Sequence, residues 1–148
     1  MASDSTTQTS PKWHFWLIAV LALLWCAMGC FDYIMTETHN ASYMSQFSKE
    51  QLDFFYSIPA WSIAFWAIAV WGGLIGSLLL LMRRRLSVPI YLISLIGTLV
   101  SMLQMYVLSD GMKYMGDGMN MLFTVAIIAI SIFLYFYARR CGRVGILR

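Results

Sequence analysis

The sequence has few charged residues and few of the side chains from which soluble active sites are built. Asp, Glu, Lys and Arg make up 11% of the 148 residues, against about 25% in a typical soluble domain. The two histidines, His14 and His39, lie near the ends of apolar runs, so they do not form a pair of axial haem ligands within one. The chain has no Gly-rich phosphate loop, zinc-ligand spacing or Ser/Cys–His nucleophile pattern. We therefore expect no catalytic activity, no cofactor and no metal site.

Cysteine is also scarce, and the three copies form no CxxC motif and no pair in a loop. This pattern disfavours a quinone-linked thiol oxidase. Cys26 and Cys30 are four residues apart and share a helix face, where we interpret them as small packing residues. A methionine cluster over residues 112–121 has soft thioethers that suit Cu(I). Eleven methionines in an apolar chain make such clustering expected, however, so we predict no copper site there.

Apolar residues, by contrast, make up 60% of the chain. Residues 58–82 carry no charge, and a run of three arginines follows them directly. A helix of about 20 apolar residues, rising about 1.5 Å per residue, crosses a hydrocarbon core about 30 Å thick. The sequence therefore predicts an all-α integral membrane protein, a four-helix bundle. The predicted segments are a disordered cytoplasmic tail at 1–12, spans at 13–35, 58–82, 87–109 and 119–138, outer loops at 36–57 and 110–118, an inner basic turn at 83–86 and a basic cytoplasmic tail at 139–148.

Basic residues are distributed unequally between the two sides of these spans. Eight of the ten Lys and Arg residues fall on one side, and only Lys49 and Lys113 fall on the other. Because cytoplasmic loops are enriched in Lys and Arg, we predict that both termini are cytoplasmic. The residues expected to anchor this topology are Arg83, Arg84, Arg85, Arg139 and Arg140. The same placement accounts for the net charge of +3, so we expect no nucleic-acid partner.

The first outer loop contains the signal of a short helix. Ser48 and Gln51 have the S-x-x-Q spacing of a capping box, and Phe47 and Leu52 stand at the positions of a hydrophobic staple. We predict a helix at 49–57. Its apolar residues share one face and its charged residues lie largely opposite, which is typical of an interfacial helix lying on the outer leaflet.

Small and polar residues mark particular faces of the second and third spans. The small-residue row of the second span consists of Ala60, Ala64, Gly72 and Gly76, the last two forming a GxxxG motif. Such rows let helix backbones approach closely in lipid. We interpret the row as packing within the bundle, with a dimer seam as the alternative. The polar stripe of the third span consists of Ser87, Ser94, Gly97, Ser101 and Gln104, and we expect it to face protein or a wet cavity.

Asp32 is the one acidic residue placed within a predicted span. A carboxyl group there can bind a proton, a cation or a sugar hydroxyl, and is a functional candidate by default. The alternative is a helix-end residue that reaches interfacial water. The other candidates at similar depth are Tyr33, Trp61, Gln104, Asp110 and Asn120. Carboxylates and amides beside aromatic faces are what a polyol site uses. The alternative is that the amides bond other helices and the aromatic residues form an interfacial belt.

The run YMSQFSKEQLDFFYSIPAWSIAFWAIAVWGGLIGSLLLLMRRR resembles that of a family of small four-span bacterial inner-membrane proteins. FDYIMT before this run and LSDGM after the third span fit the same pattern. Members of the family are largely uncharacterised and are often catalogued as sugar transporters. The resemblance implies a bacterial inner membrane, and it supplies neither a substrate nor functional residues.

Two functions agree with these features. One is transport or permeation of a sugar-like solute by an oligomer, because four spans are few to enclose a solute path. The other is a non-catalytic accessory or structural subunit of a larger membrane complex. Either function implies a lipid bilayer and a homo-oligomer or membrane-protein partner. A continuous buried polar path favours transport, whereas a sealed bundle with an exposed small-residue seam favours the accessory role.

Overall fold

The structure, a computed structural model, describes residues 10–109, 111–115 and 118–148. Regular structure over these residues is helical. The helices are α1 (Trp13–Glu37), α2 (Ala41–Met44), α3 (Lys49–Tyr56), α4 (Ala60–Leu81), α5 (Ser87–Leu103), a π-helical segment (Gln104–Leu108) that extends α5, α6 (Gly111–Met115) and α7 (Gly118–Arg143). Within the described ranges, α1, α4, α5 with its extension, and α7 are long and apolar enough to cross a membrane. The prediction of an all-helical chain with four candidate spans is therefore confirmed.

Two of the long helices, α1 and α7, extend beyond the predicted spans because each continues until the backbone changes direction. α1 runs to Glu37 rather than residue 35, and α7 runs to Arg143 rather than residue 138. In three of the long helices, α1, α4 and α7, the second residue after the helix has positive φ. These residues are His39 at 52°, Arg83 at 57° and Gly145 at 81°. In each case the N–H of the following residue bonds to a carbonyl five residues back, which is the Schellman arrangement. Only one of these positions is a glycine, so the sequence does not signal the other two ends.

The four long helices pack side by side in the order α1, α4, α5 and α7. α1 also meets α7 through two ring pairs, Phe15 with Tyr137 at 6.4 Å and Trp25 with Phe123 at 5.9 Å between centroids. The buried core includes Phe15, Ala19, Ala22, Leu80, Tyr91, Leu134, Ala138, Cys141 and Leu147. These residues lie towards the end of the bundle at which α1 begins and α7 ends. We call this the basic end, and the opposite end, which carries α2, α3 and α6, the loop end.

The chain beyond α7 folds back on the turn between α4 and α5. Arg85 N–H donates to the Arg148 carbonyl at 2.8 Å, and Arg148 N–H donates to the Arg83 carbonyl at 2.6 Å. The side chain of Leu147 is 1% exposed and belongs to the core of the bundle. The predicted basic tail at 139–148 is therefore part of the folded unit over its whole length, first as helix and then as an extended segment paired with the turn.

The predicted small-residue row does not form one packing surface. A Cβ on Gly76 would lie 3.0 Å from the Tyr91 ring, and one on Gly72 would lie 3.2 Å from the Ser94 Cβ, so both glycines face α5. Ala60 and Ala64 are exposed. The reason is helical geometry: at about 100° per residue, the sixteen residues from Ala60 to Gly76 turn the side-chain direction by about 160°. The two ends of the row consequently point to nearly opposite sides of α4.

The loop end is closed by the short helices. The predicted capping box of α3 is present, with Gln51 N–H donating to Ser48 Oγ at 3.2 Å and Ser48 N–H donating to Gln51 Oε1 at 3.1 Å. The Phe47 ring packs on Phe55 at 5.2 Å between centroids. α3 buries Phe54 and contacts α6, so the two predicted outer loops meet over the ends of the long helices.

Candidate functional site

Asp32 lies one turn from the end of α1 and is bonded to the first loop. The Tyr43 hydroxyl donates to Asp32 Oδ1, and the Tyr43 ring packs edge-on against Phe31 at 6.0 Å. The left-handed His39 turns the chain back along α1. Asn40 then caps α2 by accepting from Tyr43 N–H at 3.0 Å, which holds the tyrosine over the carboxylate.

The environment of Tyr43 raises the pKa of its phenol above the ordinary value. Burial is the main cause, and the hydrogen bond to the Asp32 carboxylate adds to it. A phenol with a raised pKa in the folded protein stabilises the fold below the unfolded pKa of about 10, and this contribution is lost as pH rises through the folded value. The Tyr43 phenol therefore keeps its proton at neutral pH and can donate it to the Asp32 carboxylate.

Gln104 forms a second polar contact, between α4 and the end of α5. Its side chain is 2% exposed, its Oε1 accepts from Ser62 Oγ at 3.0 Å, and its Nε2 donates to Ser109 Oγ at 2.5 Å. Gln104 is also the first residue of the π-helical segment, a type of irregularity often found at functional sites. All of the hydrogen bonds just described are internal to the protein.

The remaining predicted candidates are distributed over other contacts. The Tyr33 ring packs edge-on against Trp66 of α4 at 4.9 Å between centroids, whereas Trp61 is 47% exposed. Asn120 lies near the start of α7, and its backbone carbonyl accepts from Thr124 Oγ1 at 2.9 Å. The Thr124 hydroxyl in turn lies 2.7 Å from the Tyr106 hydroxyl. Asp110 lies outside the described residues.

The residues of the predicted polyol site thus belong to different hydrogen-bonded groups. Asp32 is held by Tyr43 from the loop, and Gln104 is held by Ser62 and Ser109. Sequence reasoning missed these three partners. Asn40 gave a sequence signal for the short helix that contains Tyr43, because an N-cap residue after a helix end predicts that a new helix starts there. The pairing of Ser62 with Gln104 had no such signal, since it depends on the register of α4 against α5.

In the polar stripe of the third span, Ser94 and Gln104 are hydrogen-bonded to α4. Ser87 Oγ and Ser101 Oγ are buried without a hydrogen-bond partner among the described residues. Ser94 Oγ donates to the Ala69 carbonyl at 2.6 Å, and Thr98 Oγ1 donates to the Ser94 carbonyl at 2.9 Å. Across the contact, Ser77 Oγ lies 2.8 Å from the Tyr91 hydroxyl. Gly97 completes the seam, because a Cβ there would stand 2.8 Å from the Phe65 carbonyl oxygen. The backbones of α4 and α5 therefore meet directly at Gly97.

The cysteines of α1 also point to α4. Ser77 Oγ donates to Cys26 Sγ at 3.5 Å, and the Cys30 thiol donates to the Val70 carbonyl at 3.2 Å. All three cysteines of the chain are free thiols. A Cβ on Gly73 would lie 3.1 Å from Cys26 Sγ, so small residues set the separation of these helices.

The arginines predicted to anchor the topology lie at the basic end. Arg83, Arg84 and Arg85 form the turn between α4 and α5, and Arg139 and Arg140 lie in the last turns of α7. All are exposed except Arg83, which is half-buried and donates from Nε to the Ile146 carbonyl at 2.9 Å.

Comparison with protein-family models, with curated proteins and with solved structures gives no match for this chain. The resemblance to small four-span membrane proteins therefore rests on the sequence motifs quoted above.

Proposed function

We propose that the chain is a non-catalytic accessory or structural subunit of a larger membrane complex. The observation that carries the proposal is the closed seam between α4 and α5. Three hydrogen bonds made by side chains join the two helices there, and Gly97 brings the two backbones into contact. A chain sealed in this way acts through its outer surface rather than through a path of its own.

The exposed face of α4 supplies a surface for a partner helix. Ala60 and Ala64 lie one turn apart there and are exposed. Small residues on a membrane helix allow a neighbouring backbone to come close, which favours van der Waals packing. We assign this face to the partner, and we place the chain in a bacterial inner membrane with both termini cytoplasmic and α3 at the outer interface.

The test uses Ala64→Trp on this face and Leu78→Trp as the matched control. Leu78 is also exposed on α4 but lies near the basic end. In a mild-detergent extract of membranes, we expect the parent and Leu78→Trp to migrate as a complex larger than one chain. Ala64→Trp should migrate as the free chain with an unchanged unfolding temperature. A parent that runs as a single chain in the membrane extract contradicts the accessory role.

A second candidate, transport of a sugar-like solute by an oligomer, is favoured by the bond between Asp32 and Tyr43. This bond joins a carboxyl group of a candidate span to a loop helix, so gain or loss of a proton at Asp32 would release or hold the loop. We expect Asp32→Asn to abolish proton-driven uptake in proteoliposomes under a pH gradient. The matched control is Asp53→Asn on exposed α3, which should leave uptake unchanged. Equal uptake by Asp32→Asn and the parent removes Asp32 from any coupling mechanism.

A further inference from the structure

The positive charge at the basic end has no described acidic neighbour at that end. The described acidic residues are Asp32, Glu37, Glu50 and Asp53, and all of them lie in the last turns of α1 or in the loop-end helix α3. The basic residues of the basic end are Lys12, Arg83, Arg84, Arg85, Arg139, Arg140, Arg143 and Arg148. The described chain therefore leaves a concentrated positive charge at one end of the bundle.

The turn and the C-terminal segment hold several of these arginines in one rigid unit. In addition to the two backbone bonds between residues 83–85 and Arg148, Arg83 Nε donates to the Ile146 carbonyl at 2.9 Å. The end of α7 joins the same unit, because a Cβ on Gly142 would lie 3.9 Å from Val88 and 4.0 Å from Leu147. Three chain segments thus meet at one place, each bringing at least one arginine.

Among the described residues, three of these arginines have exposed side chains that make no contact holding the fold together. The side chains of Arg84, Arg143 and Arg148 are exposed, and the part of the chain that the structure describes gives them no side-chain hydrogen bond or ion pair. Apolar rings lie exposed at the same end, with Trp13 75% and Phe136 56% exposed. Exposed tryptophan at the end of a candidate span marks the level of the lipid headgroups.

We propose that Arg84, Arg143 and Arg148 form a site for the phosphate headgroup of an anionic phospholipid. A guanidinium presents paired N–H donors that match phosphate oxygens, and the folded turn holds the backbone of the three arginines at one place before a ligand arrives. The uncompensated charge supplies the attraction. A lipid is the source of the phosphate because exposed Trp13 and Phe136 lie at the same end of the bundle and offer apolar surface to acyl chains.

The test measures the unfolding temperature of the purified chain in detergent with added phosphatidylglycerol, phosphatidylcholine or inorganic phosphate. We expect only phosphatidylglycerol to raise it, because a ligand of the folded state stabilises that state. Each basic residue near an anionic surface contributes about fivefold to binding, so Arg84→Gln, Arg143→Gln and Arg148→Gln together should raise the phosphatidylglycerol concentration needed for a given shift roughly a hundredfold. Lys49→Gln, at the loop end, is the matched control and should respond like the parent.

A second triple variant separates loss of charge from loss of folding. Arg84→Lys, Arg143→Lys and Arg148→Lys keep the charge, and we expect most of the response to phosphatidylglycerol to survive. The proposal is overturned if phosphatidylcholine stabilises the parent equally, or if the Gln variant keeps the full response. It is also overturned if inorganic phosphate reproduces the shift that phosphatidylglycerol gives.

Discussion

At the scale of single residues, the α4–α5 seam depends on the missing side chain of Gly97. A Cβ there would stand 2.8 Å from the Phe65 carbonyl oxygen and 3.1 Å from the Ala69 nitrogen. Both are backbone atoms of α4, so neither yields by a change of rotamer. We predict that Gly97→Ala separates the two helices and destabilises the fold by about 1–3 kcal/mol, as overpacking of a core does.

Unfolding of the purified protein in mixed detergent micelles measures this effect. Gly29→Ala is the matched control, because a Cβ there would lie 3.6 Å from Val70 Cγ1, an ordinary van der Waals contact. It should leave the midpoint nearly unchanged. Equal midpoints for Gly97→Ala and the parent would show that α4 and α5 adjust at no cost, and the closed seam would lose its support.

The residues of the candidate site were predictable singly but not in their pairings. Asp32 and Gln104 are identifiable in sequence because a carboxylate or an amide is rare inside an apolar run. Their partners Tyr43 and Ser62 are ordinary residues of a loop and of a helix start. What makes them partners is the reversal of the chain at His39 and the register of α4 against α5. Both are properties of three-dimensional packing rather than of local sequence.

At the scale of elements, the left-handed turn after α7 determines where the C-terminal segment lies. Gly145 has φ 81°, a conformation that costs a residue with a Cβ about 1–2 kcal/mol. We predict that Gly145→Ala loosens this turn and withdraws Leu147, which is 1% exposed, from the core. Proteolysis of residues 144–148 in the purified protein should become faster.

The matched control for this prediction lies three residues earlier in the same segment. Gly142 is helical, and a Cβ on it would meet its nearest neighbours at 3.9–4.0 Å, so Gly142→Ala should be cleaved no faster than the parent. Cleavage of both variants at the parental rate would mean that the paired backbone bonds to Arg83 and Arg85, rather than the turn, hold the segment.

Helices marked by a local sequence motif could be predicted, whereas the ends of the long helices and the directions of their faces were harder to predict. Ser48 and Gln51 are three residues apart, so their capping box was readable and α3 begins where it predicts. The row from Ala60 to Gly76 divides between two sides of α4, because a spacing of four drifts around a helix of 3.6 residues per turn, and Gly72 and Gly76 are the part that packs on α5. The predicted ends of α1 and α7 fell two and five residues short of Glu37 and Arg143, because apolar composition alone does not show where a helix stops.

At the scale of the whole molecule, charge divides the bundle into two unlike ends. Eight of the ten basic residues belong to the basic end, and every described acidic residue lies at or near the loop end. The fold brings the separate basic stretches together, because the turn at residues 83–85 pairs with the segment that follows α7. The unequal charge of the sequence is therefore also present in the folded molecule, where most of the basic residues lie together at one end. This difference between the ends can determine how the protein is oriented in the membrane.

The last prediction concerns that orientation. If the basic end is cytoplasmic, as enrichment of Lys and Arg on that side implies, single cysteines at opposite ends should differ in labelling. In a background in which Cys26, Cys30 and Cys141 are replaced, we expect Lys49→Cys to react in intact cells with a membrane-impermeant maleimide. Arg84→Cys should react only after the membrane is permeabilised.

Lys49 and Arg84 are both exposed, so a difference in labelling reports the side of the membrane rather than burial of the thiol. Labelling after permeabilisation provides the control for expression, because both variants should then react fully. The reverse pattern in intact cells would place the termini outside, and with them Arg84, Arg143 and Arg148. The proposed contact of these arginines with anionic lipid would then have to form in the outer leaflet.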